Sequence, residues 1–357
     1  MDNKVIKQYD SNQVKPIFVC GYIKSGTSLL ISLLDNHSEL FAFPEEMFLF
    51  YKFNDLEIKK KIKVSDFWDY FFSDIQIQRF YGGVQKGVFG NVDYNYVDGE
   101  KFEQLCRKRT KDIQLIKGNE KILFETIFIT FINVINKSDT KRWVEKTPTN
   151  ERNFEKWYEW YPQAKFIYLK RDPFEVYAAI KRKREKANIN YSIIHFLANY
   201  NISYEKAKFL EKHFPDNFII IDFEKLAKNK KYQMRELCRF LEIAYEPTLL
   251  DPTKNGEPWL GNSMFRKNES EKVENDDLRE KRLATLTPLE LKLIDEVIVN
   301  KNISWNNRLY LLKSDWKSYI KARYPNLFLK LEKSKIRAIY HLYVRSSLKY
   351  NKDGGKR

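Results

Sequence analysis

Three features of the sequence predict an α/β fold with a central parallel sheet covered by helices on both faces. Short apolar runs of strand length recur along the chain. Longer stretches of helical character separate them. A Gly-containing turn joins the first run to the first helix. Strands alternating with helices build parallel sheets, whose strands are buried on both sides and so read as continuous apolar runs.

The first strand is expected over residues 16–21, where Ile17, Phe18, Val19 and Cys20 lead into Gly21. A helix follows over 27–36, with Leu29, Leu30, Leu33 and Leu34 one turn apart. A second strand is expected over 40–43, stopped by Pro44, and a short one at Trp143, Val144 and Glu145. The next covers 165–169 and ends at Arg171-Asp172-Pro173, where Pro173 suits the first turn of a helix. The last, over 217–222, is again β-branched and apolar. Helices are expected around 65–72, 98–109, 119–136, 150–160, 174–186, 191–213 and 230–242.

Of the 357 residues, 43% are apolar and 15% aromatic, enough for a substantial core, which excludes general disorder. The net charge of +16 points to an anionic partner without saying which: nucleotide, acidic glycan, nucleic acid or membrane surface. Cys20, Cys106 and Cys238 are odd in number and far apart, which excludes a disulfide scaffold and suits a reducing compartment. Neither the cysteines nor the four histidines have metal-ligand spacing, so no metal is expected. No signal-peptide pattern opens the chain, and the longest apolar stretch, 122–135, is interrupted by Glu125 and Asn133. The expectation is a cytoplasmic protein. Residues 306–357 carry 14 Lys/Arg against 3 Asp/Glu and are expected to form a basic, mostly helical extension beyond a main domain over 1–305. A helix over 326–350 would be amphipathic, open to peripheral membrane contact or to ordinary packing on the core.

The chemistry is expected in the turn Gly21-Tyr22-Ile23-Lys24-Ser25-Gly26-Thr27-Ser28. A strand, a tight turn and a helix N-terminus gather backbone N–H groups and positive dipole around an anion. The pattern nearly matches a nucleotide P-loop, but Thr27 stands where that motif has its lysine and the cation is moved to Lys24. The predicted fold is therefore P-loop-like, a three-layer α/β/α arrangement. A lysine before the second glycine would reach the edge of the cradle, which fits an adenylate with one activated 5′-phosphate better than a triphosphate. A P-loop nucleotide kinase and a non-catalytic polyanion-binding protein remain the alternatives. No nucleic-acid motif is present, so no nucleic-acid partner is expected.

These residues resemble the sulfotransferases that use 3′-phosphoadenosine 5′-phosphosulfate. The likeness continues through Leu33-Leu34-Asp35-Asn36-His37, Pro44-Glu45, Glu145-Lys146-Thr147-Pro148, Lys170-Arg171-Asp172-Pro173, Asp222-Phe223-Glu224-Lys225-Leu226 and Trp259-Leu260-Gly261-Asn262-Ser263. It is nearest to the tyrosylprotein, glycan and bacterial members. The resemblance implies in-line transfer of a sulfuryl group to a hydroxyl acceptor, a glycan among the candidates. It implies that Ser25, Gly26, Thr27 and Ser28 hold the 5′-phosphate, and that Lys24 stabilises the leaving phosphate. Lys146 would approach the sulfonate and Arg171 the 3′-phosphate. Glu45, 21 residues after Lys24, is the expected base on register, with adjacent Glu46 as its rival. The serine that the family places eight residues after the arginine is here Ala179; Arg182, Lys183 or Arg184 could compensate. Asp172 is expected to be a cap, His37 helix-end structure, and His195 and His213 packing residues.

Overall fold

In the computed structural model, residues 15–58, 63–81, 94, 96–114, 120–137, 142–259, 261 and 276–325 are described. Five parallel strands form the sheet: β1 (Ile17–Cys20), β2 (Leu40–Ala42), β3 (Arg142–Lys146), β4 (Lys165–Lys170) and β5 (Phe218–Asp222), in the order β2-β3-β1-β4-β5. Strand β1 lies in the middle, Phe18 beside Glu145 on one flank and Phe166 on the other. Alternate residues of a strand face opposite sides, and both sides of β1 are buried. Phe18 and Cys20 join a cluster with Phe124, Trp157 and Phe166. Ile17 and Val19 join Leu30, Leu33, Val144, Ile167 and Leu237 on the other face.

The first layer uses α1 (Thr27–Leu34), α9 (Phe223–Lys228) and α10 (Lys230–Leu241). The opposite side is built from α2 (Leu49–Ile58), α3 (Val64–Phe72), α4 (Gly99–Thr110), α5 (Lys121–Val134) and α6 (Phe154–Trp160). A third cluster joins α7 (Pro173–Lys186), α8 (Ile193–His213), α12 (Pro288–Ile294) and α13 (Trp305–Arg323). Helix α11 (Asp276–Leu283) lies against α7, and Thr253–Lys254 and Glu257–Pro258 form the antiparallel pair β6 and β7. The α/β fold with a parallel sheet agrees with the sequence. Helix α2 was not anticipated, although Leu49, Phe50, Phe53 and Leu56 bury one face of it.

Helix α13 spans the start of the stretch expected to form the basic extension. Its inner side, with Leu311, Tyr319 and Ala322 buried, packs along α8. The helix expected over 326–350 lies outside the described residues. Among the described residues no helix is long and apolar enough to cross a membrane. The three cysteines are buried and unpaired.

Candidate active site

Every candidate residue sits at the carboxyl end of the sheet, where α/β folds open a crevice for ligands. After β1 the chain turns through Lys24, whose φ of 69° is a left-handed conformation uncommon for a residue with a side chain. Ser25 N–H bonds Tyr22 O at 3.0 Å, closing the turn. Gly26, at φ 96°, leads into α1, which has no side-chain cap. Both glycines are required by close approach. A Cβ on Gly21 would lie 2.6 Å from Leu169 O, and one on Gly26 would lie 2.4 Å from the Phe223 ring.

Two buried polar atoms here have no hydrogen-bond partner: Ser25 Oγ and Arg171 Nε. Buried polar groups are nearly always satisfied, so both sites fit a ligand's anionic oxygens. Arg171 follows β4 and reaches the loop, its Nη1 donating to Lys24 O at 3.1 Å. Its guanidinium lies 4.5 Å from the centroid of the Phe223 ring, so Phe223 is the shared wall of Gly26 and Arg171. The other arm of Arg171 binds Glu175, which also accepts from Arg282 Nη1 at 2.8 Å. Arg182 lies in the same field. Burial, then Arg282 and Arg171, lower its proton affinity, while Glu175 opposes them.

Lys24 is the most cation-crowded group of the site. Lost hydration, then the charges of Lys183, Arg171 and Lys146, draw its ammonium down to about 8, against the pull of Glu46. Lys146, the buried last residue of β3, donates to Glu46 Oε1. Glu46 also takes a 3.5 Å hydrogen bond from Gln76 Nε2. Lys183, on α7, has its proton affinity lowered by burial and by Arg184 and raised by Glu46. Lys24, Glu46, Lys146, Lys183 and Arg171 thus form one electrostatic group.

Glu45 is held elsewhere. Its Oε1 accepts from Arg79 Nη1 at 3.0 Å, from Lys254 Nζ at 2.9 Å and from the Tyr94 hydroxyl. Its side chain is 6% exposed, against 19% for that of Glu46. Burial and the neighbouring Glu45 carboxylate hold the Tyr94 phenol protonated. Loss of hydration lowers the proton affinity of Lys254, and Glu45 opposes it. The loop bearing both glutamates is strapped to β3. Phe48 N–H bonds Thr147 Oγ1 at 3.3 Å, and that hydroxyl donates to Glu145 at 2.5 Å. Asn150 Nδ2 donates to the other Glu145 oxygen at 2.5 Å. Burial pushes the Glu145 carboxyl up to about 7.

Asp172 caps α7, accepting from Phe174 N–H at 2.8 Å, as expected. His37 ties the end of α1 to Ala244 O at 2.8 Å. The expectation that His195 and His213 pack in the interior is corrected: both residues are exposed on α8. Their apolar sequence neighbours face the core, while a 21-residue helix leaves its other side to solvent. Of the late loop, Trp259 and Gly261 are described; Leu260, Asn262 and Ser263 lie outside the described residues. Sequence reasoning missed Arg79, Tyr94, Lys254 and Arg282, and placed Phe223 only within the Asp222–Leu226 stretch without a role. None of the four carries a local motif, and Lys254 meets a carboxylate 209 positions away.

A parallel sheet with a glycine turn, an uncapped helix and converging cations makes this an α/β protein with a crevice at the carboxyl edge whose charge suits an anionic group. The chain belongs to the Sulfotransferase family, whose family model matches residues 16–247, and it is a sulfotransferase. Among solved structures, the sulfotransferase domain from the Synechococcus PCC 7002 olefin synthase matches 77% of this chain and 90% of its own, with 16% identity and a TM-score of 0.50. The sulfotransferase domain from the curacin biosynthetic pathway matches 67% of this chain and 77% of its own, with 22% identity and a TM-score of 0.44. A sulfotransferase from Alicyclobacillus acidocaldarius covers 80% of this chain and 95% of its own, with 15% identity and a TM-score of 0.37. The likeness to the Synechococcus domain supports the fold. No curated protein matches the chain.

Proposed function

We propose that the enzyme moves a sulfuryl group from 3′-phosphoadenosine 5′-phosphosulfate to an acceptor hydroxyl, with Glu46 rather than Glu45 as the base. The observation that carries the donor reading is the pair of buried, unpartnered atoms, Ser25 Oγ and Arg171 Nε, on either side of the Gly26–Phe223 contact. They fit the two ends of an adenosine bisphosphate better than a single phosphate. The donor supplies an activated sulfur–oxygen bond to phosphate.

The protein's part is positioning, charge and one proton. Ser25, Gly26, Thr27 and Ser28 bind the 5′-phosphate through the loop and the start of α1. Lys24 neutralises the charge left on that phosphate as its bond to sulfur breaks. Lys146 and Lys183 spread charge around the moving group. Arg171 takes the 3′-phosphate. Arg182 and Arg282 stand in for the hydroxyl that Ala179 lacks, an assignment supported by their shared field at Glu175. Glu46 receives the acceptor's proton as its oxygen bonds to sulfur. Three observations favour Glu46 over Glu45: contact with Lys146, interaction with Lys24, and greater exposure. Glu45 is committed to Arg79, Lys254 and Tyr94 and serves as the anchor that holds the loop.

Thermal melting with 3′-phosphoadenosine 5′-phosphate, beside ATP and AMP, tests the donor. The bisphosphate at about a hundredfold its Kd is expected to add about 2.7 kcal/mol of stability, with little effect from AMP. An equal or larger shift with ATP, and none with the bisphosphate, overturns the reading.

A further inference from the structure

We propose that the outer side of α13 seats the enzyme on an anionic lipid surface. Twelve large apolar side chains are exposed among the described residues, and six of them fall between Trp305 and Tyr324. Trp305 is 66% exposed, Leu309 and Leu312 are each 37% exposed, and Trp316 is 60% exposed. At about 100° per residue, Trp305, Leu309 and Leu312 fall within roughly 60° of one another. Buried Asn307 and Leu311 lie on the far side, toward α8. Trp305, Leu309 and Leu312 therefore form a stripe that the fold leaves uncovered, not scattered surface apolarity.

Charge identifies the occupant. Arg308 and Lys313 flank the stripe on its two edges by the same helical geometry. The Arg308 guanidinium lies 5.9 Å from the Trp305 ring centroid, and Lys317 Nζ lies 5.7 Å from that of Trp316. Asp315 is the single acidic residue from 305 to 325, and it breaks the helix there with φ −160° and ψ 88°. The 32 residues that follow the described part of α13 and its end carry nine Lys/Arg and two Asp/Glu in sequence. Tryptophan and leucine inserted at headgroup depth, with cations beside them, match an anionic bilayer surface. A nucleic acid would answer the charge but not the leucines, and a second copy of this chain would bring the same positive charge to the contact.

The test is sedimentation of the full chain with phosphatidylcholine vesicles, with and without about 30% phosphatidylserine, read together with tryptophan emission. Partitioning onto the anionic vesicles is expected to exceed that onto neutral ones by tenfold or more, on the scale of about 1 kcal/mol per surface cation. It should be accompanied by a blue shift and lost at high salt. The Trp305→Ser/Leu309→Ser/Leu312→Ser variant should keep the wild-type far-ultraviolet circular dichroism and lose about tenfold or more of the partitioning. Arg308→Gln/Lys313→Gln should lose several-fold on anionic vesicles and nothing on neutral ones. Equal sedimentation of wild type and the serine variant overturns the proposal, since the basic tail would then suffice. So does a dimer that protects the tryptophans from iodide without lipid binding, or a preference for duplex RNA over vesicles.

Discussion

Replacing each of the two adjacent glutamates by glutamine separates an anchor from a base. Glu45 is buried, and its Oε1 takes Arg79 at 3.0 Å, Lys254 at 2.9 Å and the Tyr94 hydroxyl. Glutamine keeps an acceptor oxygen but takes the Glu45 charge away from two partly buried cations. Breaking a buried pair costs about 3–5 kcal/mol. For a chain of this length the unfolding entropy is about 0.7 kcal/mol/K, so Glu45→Gln should lower Tm by about 4–7 °C. Glu46 is more exposed and, among the described residues, pairs with one cation, Lys146; losing its charge strands one cation rather than two and should lower Tm by less than Glu45→Gln does. The kinetic order is reversed. Glu46→Gln should reduce kcat by about 10²–10⁴, the usual contribution of a positioned base, with the affinity for the bisphosphate product within about threefold of wild type. Glu45→Gln should lose far less in kcat at a temperature where it remains folded. The assays are differential scanning calorimetry and single-turnover sulfuryl transfer to whichever phenol or sugar hydroxyl the wild type accepts. If Glu45→Gln abolishes transfer with Tm unchanged, and Glu46→Gln turns over normally, the division of roles is wrong.

Two further expectations concern the loop. The Lys24 ammonium is drawn down to about 8, and the charged form binds the anionic donor, so product affinity should be flat below about pH 7 and weaken as pH rises through 8, by up to about tenfold per unit; isothermal titration calorimetry of wild type and Lys24→Gln checks this, and a pH slope that persists in the variant refutes it. Gly21→Ala drives a Cβ to 2.6 Å from the Leu169 carbonyl, on backbone that cannot yield cheaply, whereas Gly26→Ala meets the Phe223 ring, which can tilt but carries Arg171 with it. Gly21→Ala should therefore chiefly destabilise, whereas Gly26→Ala should cost about 1–2 kcal/mol in its backbone and also weaken bisphosphate binding; normal binding by Gly26→Ala would move the donor away from this turn.

The sheet was legible because its strands are buried on both faces: Ile17 to Cys20 and Lys165 to Leu169 read as apolar runs, whatever surrounds them. The turn after β1 was legible because its glycines answer local needs. Helix α9 was not, since six residues capped by Asp222 leave too short a period to detect. The two glutamates show the limit most clearly. Counting from Lys24 selects Glu45 as the expected base; the fold ties Glu45 to Arg79 and Lys254 and brings Glu46 to Lys146, a division that a count along the chain does not carry. Lys254 and Arg282 arrive from later segments, and only the folded chain brings them to Glu45 and Glu175.

The same placements explain how so basic a crevice remains folded before any donor arrives. Lys146 is paired with Glu46, Arg171 and Arg282 with Glu175, and Arg79 and Lys254 with Glu45. Each carboxylate offsets repulsion that an empty cluster of cations would otherwise carry. Lys24 makes no ion pair among the described residues, and the fold accommodates that by weakening its hold on the proton. In the proposed binding mode an anionic donor would restore what Lys24 lacks and compete with Glu175 for Arg171. On the proposed placement, Lys24 is the cation left without an acidic partner among the described residues, whereas Lys146 and Arg171 would share their hold on Glu46 and Glu175 with the donor. In that binding mode the contrast between Lys24 and the paired cations would orient the donor by charge, before any contact with adenine.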